Sequence, residues 1–166
     1  MHAPSSPLQL DQYTIEAFSF KTNAEFDEAK KGEGILSVFP ELLVHKTDER
    51  KVLLRLRVRY RPDPSNPDSV PYDVDVSGEG FFSLAESELS PEEERHLLLF
   101  NGSAILYGLL RAQIAQATAL GPHGPMLLPV ANLVPALKRK LKHQAKTALE
   151  TKHASGLVAD SGATRC

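Results

Sequence analysis

The sequence lacks several features that define large classes of proteins. Its one cysteine, Cys166, is the last residue, which excludes a disulfide framework and a multi-cysteine metal site. No apolar run exceeds a few residues, so we expect no membrane insertion. The first residues show no basic stretch followed by an apolar core, so we expect no secretory signal. The net charge is 19 − 21 = −2, which implies no bulk polyelectrolyte partner. These absences predict an ordinary globular protein of the cytoplasm.

Sequence motifs that carry catalysis are also missing. There is no Gly-x-Ser-x-Gly elbow, no phosphate-binding loop and no Gly-x-Gly-x-x-Gly fingerprint. The stretch from Asp73 to Gly78 imitates the start of a calcium loop, but Leu84 occupies the twelfth position, which requires glutamate. The six histidines are dispersed, without the helical spacing of a zinc site. We therefore predict that the protein is not an enzyme and uses no cofactor or metal.

The first half of the chain has the pattern of a β-sheet. We predict a flexible arm at residues 1–10, one folded domain at 11–152 and a disordered tail at 153–166. The clearest strand runs from Val52 to Arg61, where apolar residues alternate with Arg55, Arg57, Arg59 and Arg61. A period of two places the apolar set on one face and the arginines on the other. This alternation indicates an antiparallel sheet with one covered face and one wet face.

A proline-rich connection separates this strand from the next. Four prolines lie between Pro62 and Pro71, where neither a strand nor a helix interior is expected. The strand pattern resumes from Tyr72 to Leu84. A symmetric hairpin register would bring Arg61 near Asp73 and Arg59 near Asp75 on the wet face. We predict these cross-strand ion pairs.

The second half of the chain is predicted to be helical. Ser90-Pro91-Glu92-Glu93 is typical of a helix start with a capping box. The helix should run to about Leu120 and end at Gly121-Pro122. Small residues at spacings of three and four form a stripe along it: Ala104, Gly108, Ala112, Ala115 and Ala119. We expect this helix to lie between the sheet and another helix or subunit. The alternative is that the helix packs only within the core of its own chain.

A final helix is predicted from about Leu133 to Leu149, and it is basic. Residues 138–153 carry six lysines and arginines against one glutamate, a local charge of 6 − 1 = +5. A solvated helical face is the ordinary explanation. The alternative is an interaction module that binds nucleic acid or an acidic protein through this helix. No aromatic residue interleaves the cations, which argues against nucleic acid.

From Asn101 onward the order of features resembles the SecB family of protein-export chaperones. The resemblance rests on Asn101-Gly102-Ser103-Ala104-Ile105-Leu106-Tyr107, Leu110-Arg111, the break from Gly121 to Pro125, Leu127-Leu128-Pro129-Val130 and Asn132-Leu133. Gly80-Phe81-Phe82-Ser83-Leu84 also fits, and the similarity spans roughly residues 12–145. It implies an α+β fold in which a four-stranded antiparallel sheet carries two helices on one face. It further implies a homotetramer, a dimer of dimers, whose long helices meet through the small-residue stripe.

The resemblance also implies a function. Members of the family are ATP-independent chaperones (holdases) that keep unfolded or aggregation-prone polypeptides in apolar grooves. The clients are precursors for export or one dedicated protein such as an antitoxin. The expected client groove comprises Ile35, Leu36, Val38, Phe39, Leu127, Leu128, Leu133, Leu137 and Leu141.

One part of the resemblance is weaker, and it concerns the export motor SecA. The family binds SecA through acidic residues of the sheet surface, and these positions correspond here to Ala17, Lys21 and Asp75. Only one acid remains, which argues against SecA as a partner. We expect the sheet surface to face a different partner through Lys21, Arg55, Arg57, Arg59, Asp73 and Asp75. The alternative is that the arginines simply pair with Asp73 and Asp75.

Overall fold

The computed structural model of the chain describes residues 6–44, 50–86, 89–135 and 137–139. Four strands form one antiparallel sheet: β1 (Leu8–Thr22), β2 (Ile35–Val44), β3 (Lys51–Arg61) and β4 (Tyr72–Leu84). Their order across the sheet is β1-β4-β3-β2, so β1 and β2 are the outer strands. The α+β fold class and the antiparallel sheet are thus confirmed. Strand β1 begins at Leu8, three residues before the predicted domain boundary at 11.

The two faces of the sheet follow the alternation of the sequence. Apolar side chains from β3 and β4 are buried on one face: Val52, Leu54, Leu56, Val58, Tyr60, Tyr72, Val74, Val76, Phe82 and Leu84. Arg59 pairs with Asp75 in the register, as predicted from the proline-interrupted hairpin. The Arg61–Asp73 ion pair also forms, with 3.5 Å between Nε and Oδ1. A symmetric hairpin is therefore confirmed, and it leaves the arginines on the wet face.

The long helix contains a π-helical turn that the sequence pattern did not predict. It consists of α1 (Pro91–Leu97), a π-helical turn (Leu98–Gly102) and α2 (Ser103–Thr118). The predicted capping box is confirmed, because Ser90 accepts from the Glu93 backbone N–H and Glu93 accepts from the Ser90 backbone N–H. The predicted end near Leu120 is two residues late.

The core side of α2 packs on the sheet. Its buried side chains are Ser103, Leu106, Tyr107, Leu110, Ile114 and Thr118. Gly78 of β4 permits a close approach, because a Cβ there would lie 2.8 Å from Leu110 Cδ2. The 28-residue run Pro91–Thr118 is long and apolar enough to cross a membrane, but a core helix passes the same test. Its packing on β3 and β4 accounts for the buried residues.

The whole chain divides into two compact units, Met1–Leu133, which contains the sheet and the long helix, and Val134–Cys166. In the second unit, residues 134, 135 and 137–139 are helical, in line with the predicted start of the last helix. Lys138 and Arg139 are exposed there. The rest of the predicted basic helix, including Leu141, and the predicted tail at 153–166 lie outside the described residues.

Candidate functional site

A surface groove lies within the first unit where three connecting segments meet. The first is the crossover from β1 to β2, the second is the proline loop between β3 and β4, and the third follows α2. The cavity measures about 530 Å³. Eight of its lining residues are apolar: Phe26, Tyr60, Val70, Pro71, Pro122, Pro125, Met126 and Leu127. Glu28, Lys31, Gly32 and His123 complete it, and we call this site the crossover groove.

The crossover wall is held to the proline loop by a series of backbone hydrogen bonds. The Asn23 N–H donates to Pro71 O (2.8 Å), and the Gly32 N–H donates to Ser69 O (2.9 Å). The Asn23 side-chain amide donates to the carbonyls of Pro67 and Val70, at 2.7 and 2.8 Å. Backbone carbonyls that are withdrawn from water need hydrogen-bond donors of this kind. The crossover is therefore fixed at both of its ends, which positions Phe26 in the groove.

The opposite wall is held by tyrosine and threonine hydroxyls. The His123 N–H donates to Tyr72 Oη (2.9 Å), and the Met126 N–H donates to Thr118 Oγ1 (2.8 Å). Tyr107 Oη donates to Pro129 O (2.7 Å), which anchors the far end of the segment. Burial raises the pKa of Tyr107, so its hydroxyl keeps the proton it donates. These bonds fix residues 123–129 against β4 and α2.

The apolar side chains that follow Pro125 alternate between buried and exposed. Met126 and Leu128 point inward, with 8% and 0% exposure. Leu127 points outward and is 62% exposed. The Phe26 ring meets the His123 imidazole edge-to-face, with 4.9 Å between centroids. The groove thus combines a rigid backbone with an exposed leucine and an aromatic pair.

The structure divides the nine residues that we predicted for the client groove. Leu127 lines the crossover groove. Leu128, Leu133 and Leu137 are buried, so they present almost no surface to a ligand. Leu141 lies outside the described residues. Among the eight members of this set that the structure describes, Leu127 alone lines the crossover groove.

The four β2 residues of that prediction are split by the pleat of the strand. Ile35 and Phe39 pair opposite Arg61 and Arg57, which places them on the wet face. Leu36 and Val38 pair opposite Tyr60 and Val58 and share the helix-covered face. The four side chains therefore do not share one face of the sheet, because successive residues of a strand face opposite sides, and their place in a client groove stays a prediction.

Sequence reasoning missed Phe26 and His123. Phe26 is the one aromatic residue of the polar connection between β1 and β2, and that isolation was the available signal. His123 follows the helix-ending Gly121-Pro122. Their meeting depends on the long-range hydrogen bonds described above, which leave no pattern in the sequence.

The small-residue stripe of α2 lies on the outer side of the helix. Ala104, Gly108, Ala112 and Ala119 are exposed, and Ala115 is half-buried. A Cβ at Gly108 would meet no atom within 4 Å, so this face is open in the single chain. A subunit contact through the stripe stays a prediction.

The wet face of the sheet carries a network of ion pairs, and we call it the charged face. Its six predicted residues, Lys21, Arg55, Arg57, Arg59, Asp73 and Asp75, all lie there by register. Arg55 bonds Glu79 (2.6 Å from Nη2 to Oε1), and this hydrogen bond raises the pKa of Arg55. Two arginines share Asp75, each with a contact of 2.8 Å. The Arg57 guanidinium, followed by Arg59, holds the pKa of Asp75 below its usual range.

Comparison with known proteins agrees with this architecture. No protein-family model matches the sequence. A protein-export protein SecB of Rhodospirillum centenum is 22% identical over 137 residues, which cover 82% of this chain and 81% of that protein. Among solved structures, a SecB-like chaperone of Mycobacterium tuberculosis superposes with a TM-score of 0.59 at 16% identity. The match covers 75% of this chain and 90% of that one, which was solved in complex with a ChAD peptide from an antitoxin.

The predicted resemblance is thus confirmed in sequence, over four fifths of the chain, and in structure. The chain resembles the SecB family and has the SecB-like fold.

Proposed function

We propose that the protein is an ATP-independent holdase that binds unfolded or aggregation-prone polypeptides in the crossover groove. The observation that carries the proposal is the outward-facing Leu127, 62% exposed, on a wall fixed by hydrogen bonds within a SecB-like fold. Both similar proteins support a chaperone role: one is named for protein export and the other was solved with an antitoxin peptide. The client here is a precursor for export or a dedicated protein such as an antitoxin. The chain acts in the cytoplasm and catalyses no reaction.

The binding energy of such a groove comes from apolar contact. Full burial of a leucine side chain contributes about 1.5–3 kcal/mol, so a side chain that is 62% exposed retains most of that potential. Phe26, Pro122 and Pro125 supply further apolar surface around it. No nucleotide is needed, because burial alone drives association. Several weak contacts along one unfolded chain then combine into useful avidity.

Assembly multiplies the number of grooves that one client can reach. We propose a homotetramer, a dimer of dimers, in which the outer stripe of α2 forms a helix–helix contact. Ala104, Gly108 and Ala112 are small and exposed, so two helices can approach closely there. Four linked grooves raise the effective concentration of binding sites around an unfolded chain.

The proposal is tested by the ability of the purified full-length chain to suppress aggregation. A slowly folding secretory precursor serves as the client, without nucleotide, and light scattering gives the mass of the chaperone. The test variant is Leu127→Asp and the matched control is Leu120→Asp. Leu120 is 92% exposed but does not line the groove, so both changes replace an exposed leucine with aspartate.

The wild-type chain should protect the client stoichiometrically, and Leu127→Asp should lose most of that protection. Leu120→Asp should protect like the wild type, and both variants should keep the wild-type circular dichroism. Equal suppression of client aggregation by both variants would show that the crossover groove is not the client-binding site. A chain that protects nothing would remove the holdase function itself.

A further inference from the structure

The charged face has an uneven distribution of charge along its strands. At the end nearer the proline loop, Lys21, Arg57, Arg59 and Arg61 accompany two carboxylates, Asp73 and Asp75. The balance is 4 − 2 = +2, and we call these four cations the cationic end. At the other end, Arg55 is surrounded by Glu16, Glu41 and Glu79, a balance of 1 − 3 = −2. The face is therefore polarised, although the chain as a whole carries only −2.

The internal ion pairs do not neutralise the cationic end. Asp75 is shared by Arg57 and Arg59, whose Nε atoms each lie 2.8 Å from one of its oxygens. Arg61 reaches Asp73 at 3.5 Å, a longer contact, and half of its side chain is exposed. Lys21 lies opposite the same Asp73 in the β1–β4 register. Two carboxylates thus pair with four cations. Because the carboxylates are shared and the face is exposed to solvent, guanidinium N–H groups are left that can donate to a third carboxylate.

Exposed apolar side chains lie beside these cations. Ile35 and Phe39 of β2 pair opposite Arg61 and Arg57, and they are 46% and 51% exposed. The Arg59 guanidinium carbon lies 6.0 Å from the centre of the Phe39 ring. This geometry keeps the ring in place while one side stays open to solvent.

A depression extends from the cationic end toward Arg55 and Glu16. It measures about 760 Å³ and runs over β4 between β1 and β3. Its lining comprises the cations Lys21, Arg55, Arg57 and Arg61, the carboxylates Glu16, Asp73 and Asp75, and Phe18 with the small residues Ala17, Ser19 and Ser77. Small side chains between long cationic ones leave room for a segment of backbone.

We propose that the cationic end of the charged face, with Ile35 and Phe39, docks a short acidic polypeptide segment that carries an apolar or aromatic side chain. Carboxylates of the segment satisfy the shared guanidinium donors, and its apolar side chain covers Phe39. This surface is distinct from the crossover groove, so it can bind a second partner while the groove holds the client. Its charge selects a partner of the opposite sign.

The dimensions favour a peptide over a nucleic acid. Arg57 and Arg61 are four residues apart, which is about 13 Å along a strand. That span matches about four residues of extended chain. A polynucleotide that continued along the strands would meet Glu16, Glu41 and Glu79, which repel phosphate. Nucleic-acid surfaces instead carry cations along the whole track of the backbone.

The test measures the binding of defined probes to the full chain by fluorescence anisotropy at about 0.15 M salt. The first probe is a labelled peptide of alternating glutamate and leucine with one phenylalanine. The second has lysine in place of each glutamate, and the third is a labelled single-stranded oligonucleotide. The test variant is Lys21→Glu with Arg61→Glu. The control, Arg50→Glu with Lys51→Glu, makes the same charge change at the opposite end of β3.

The acidic peptide should bind the wild type, and its Kd should rise at least about tenfold in the test variant. The control should change the Kd by less than about twofold, and the lysine peptide should bind weakly. Equal losses of peptide affinity in the test and control variants would overturn the proposal, because the overall electrostatic field of the protein would then explain the binding. Preference for the oligonucleotide would overturn it too, as would a loss of peptide binding in Leu127→Ala, which would assign the peptide to the crossover groove.

Discussion

Leu127 and Leu128 are sequence neighbours with opposite environments, and they allow the clearest single test of the groove. Leu127 is 62% exposed and lines the groove, whereas Leu128 is fully buried. The Leu128 carbonyl accepts a hydrogen bond from Arg111 Nε at 2.6 Å, which fixes the alternation between the two side chains. We predict that Leu127→Ala weakens client binding and that Leu128→Ala weakens the fold.

The expected magnitudes follow from these burial values. Truncation of a fully buried leucine costs about 2–5 kcal/mol, through lost transfer energy and a cavity. For a protein of this size that corresponds to a fall of about 5–15 °C in Tm. Leu127→Ala should change the free energy of unfolding by less than about 0.5 kcal/mol, as is usual for exposed side chains. It should instead lose about 1–2 kcal/mol of binding free energy per groove. A single-site peptide would then bind about 5–30 times more weakly.

Two assays on the same protein preparations separate the effects. Urea unfolding followed by circular dichroism gives the free energy of unfolding, and a titration with a labelled unfolded peptide gives the Kd. If Leu127→Ala destabilised the fold as much as Leu128→Ala, Leu127 would be a core residue and the assignment of Leu127 to the groove would be wrong. The assignment would also be refuted if Leu127→Ala left the Kd unchanged.

Two further predictions concern assembly and pH. Gly108→Leu should keep the wild-type circular dichroism, because nothing lies within 4 Å of a Cβ there, but should reduce the proposed tetramer to smaller species by light scattering. A persistent tetramer would place the subunit contact elsewhere. Asp75 has a lowered pKa, caused chiefly by Arg57, so its contribution to stability is present at neutral pH. That contribution should be lost as the pH falls below about 4, near the ordinary pKa of aspartate. Asp75→Asn should therefore be less stable at neutral pH, and its free energy of unfolding from urea titrations should fall less steeply in acid than that of the wild type. An equally steep fall in both proteins would show that the ion pair contributes nothing to stability.

Local patterns were sufficient to predict the sheet and the start of the helix. The alternation from Val52 to Arg61 determines which face each side chain takes, and prolines limit the hairpin loop, so the Arg59–Asp75 pairing followed directly. The capping box at Ser90 involves residues three apart and is equally visible in the sequence. Such features depend on residues that are close together in the chain, so they can be predicted from the local sequence pattern.

The candidate site was predicted less well, because it depends on contacts between distant segments. Hydrogen bonds from the crossover to the proline loop, such as the one from Asn23 to Pro71, join residues 48 positions apart. They place Phe26 in the groove, and no periodicity records them. The assignment of Ile35 and Phe39 to the client groove had a different cause. The pleat of β2 sends its alternate residues to opposite faces, so Ile35 and Phe39 do not share a face with Leu36 and Val38.

The π-helical turn at Leu98–Gly102 is a third kind of difference. Its extra residue shifts the helical phase between α1 and α2, so one period does not describe the whole run. Gly102 lies against the sheet there, and a Cβ would be 3.2 Å from Leu54 Cδ2. Sequence periodicity alone does not distinguish this turn from a continuous α-helix.

Photocrosslinking from position 127 tests the holdase account most directly. A photoreactive phenylalanine analogue would replace Leu127 in the full chain, with Leu120 replaced in a matched control. The partner is a reduced and alkylated secretory protein that stays unfolded, compared with its native form. The account predicts crosslinks from position 127 to the unfolded protein, few to the native one, and few from position 120. Equal crosslinking from both positions, or none from 127, would contradict the claim that the crossover groove holds unfolded chains.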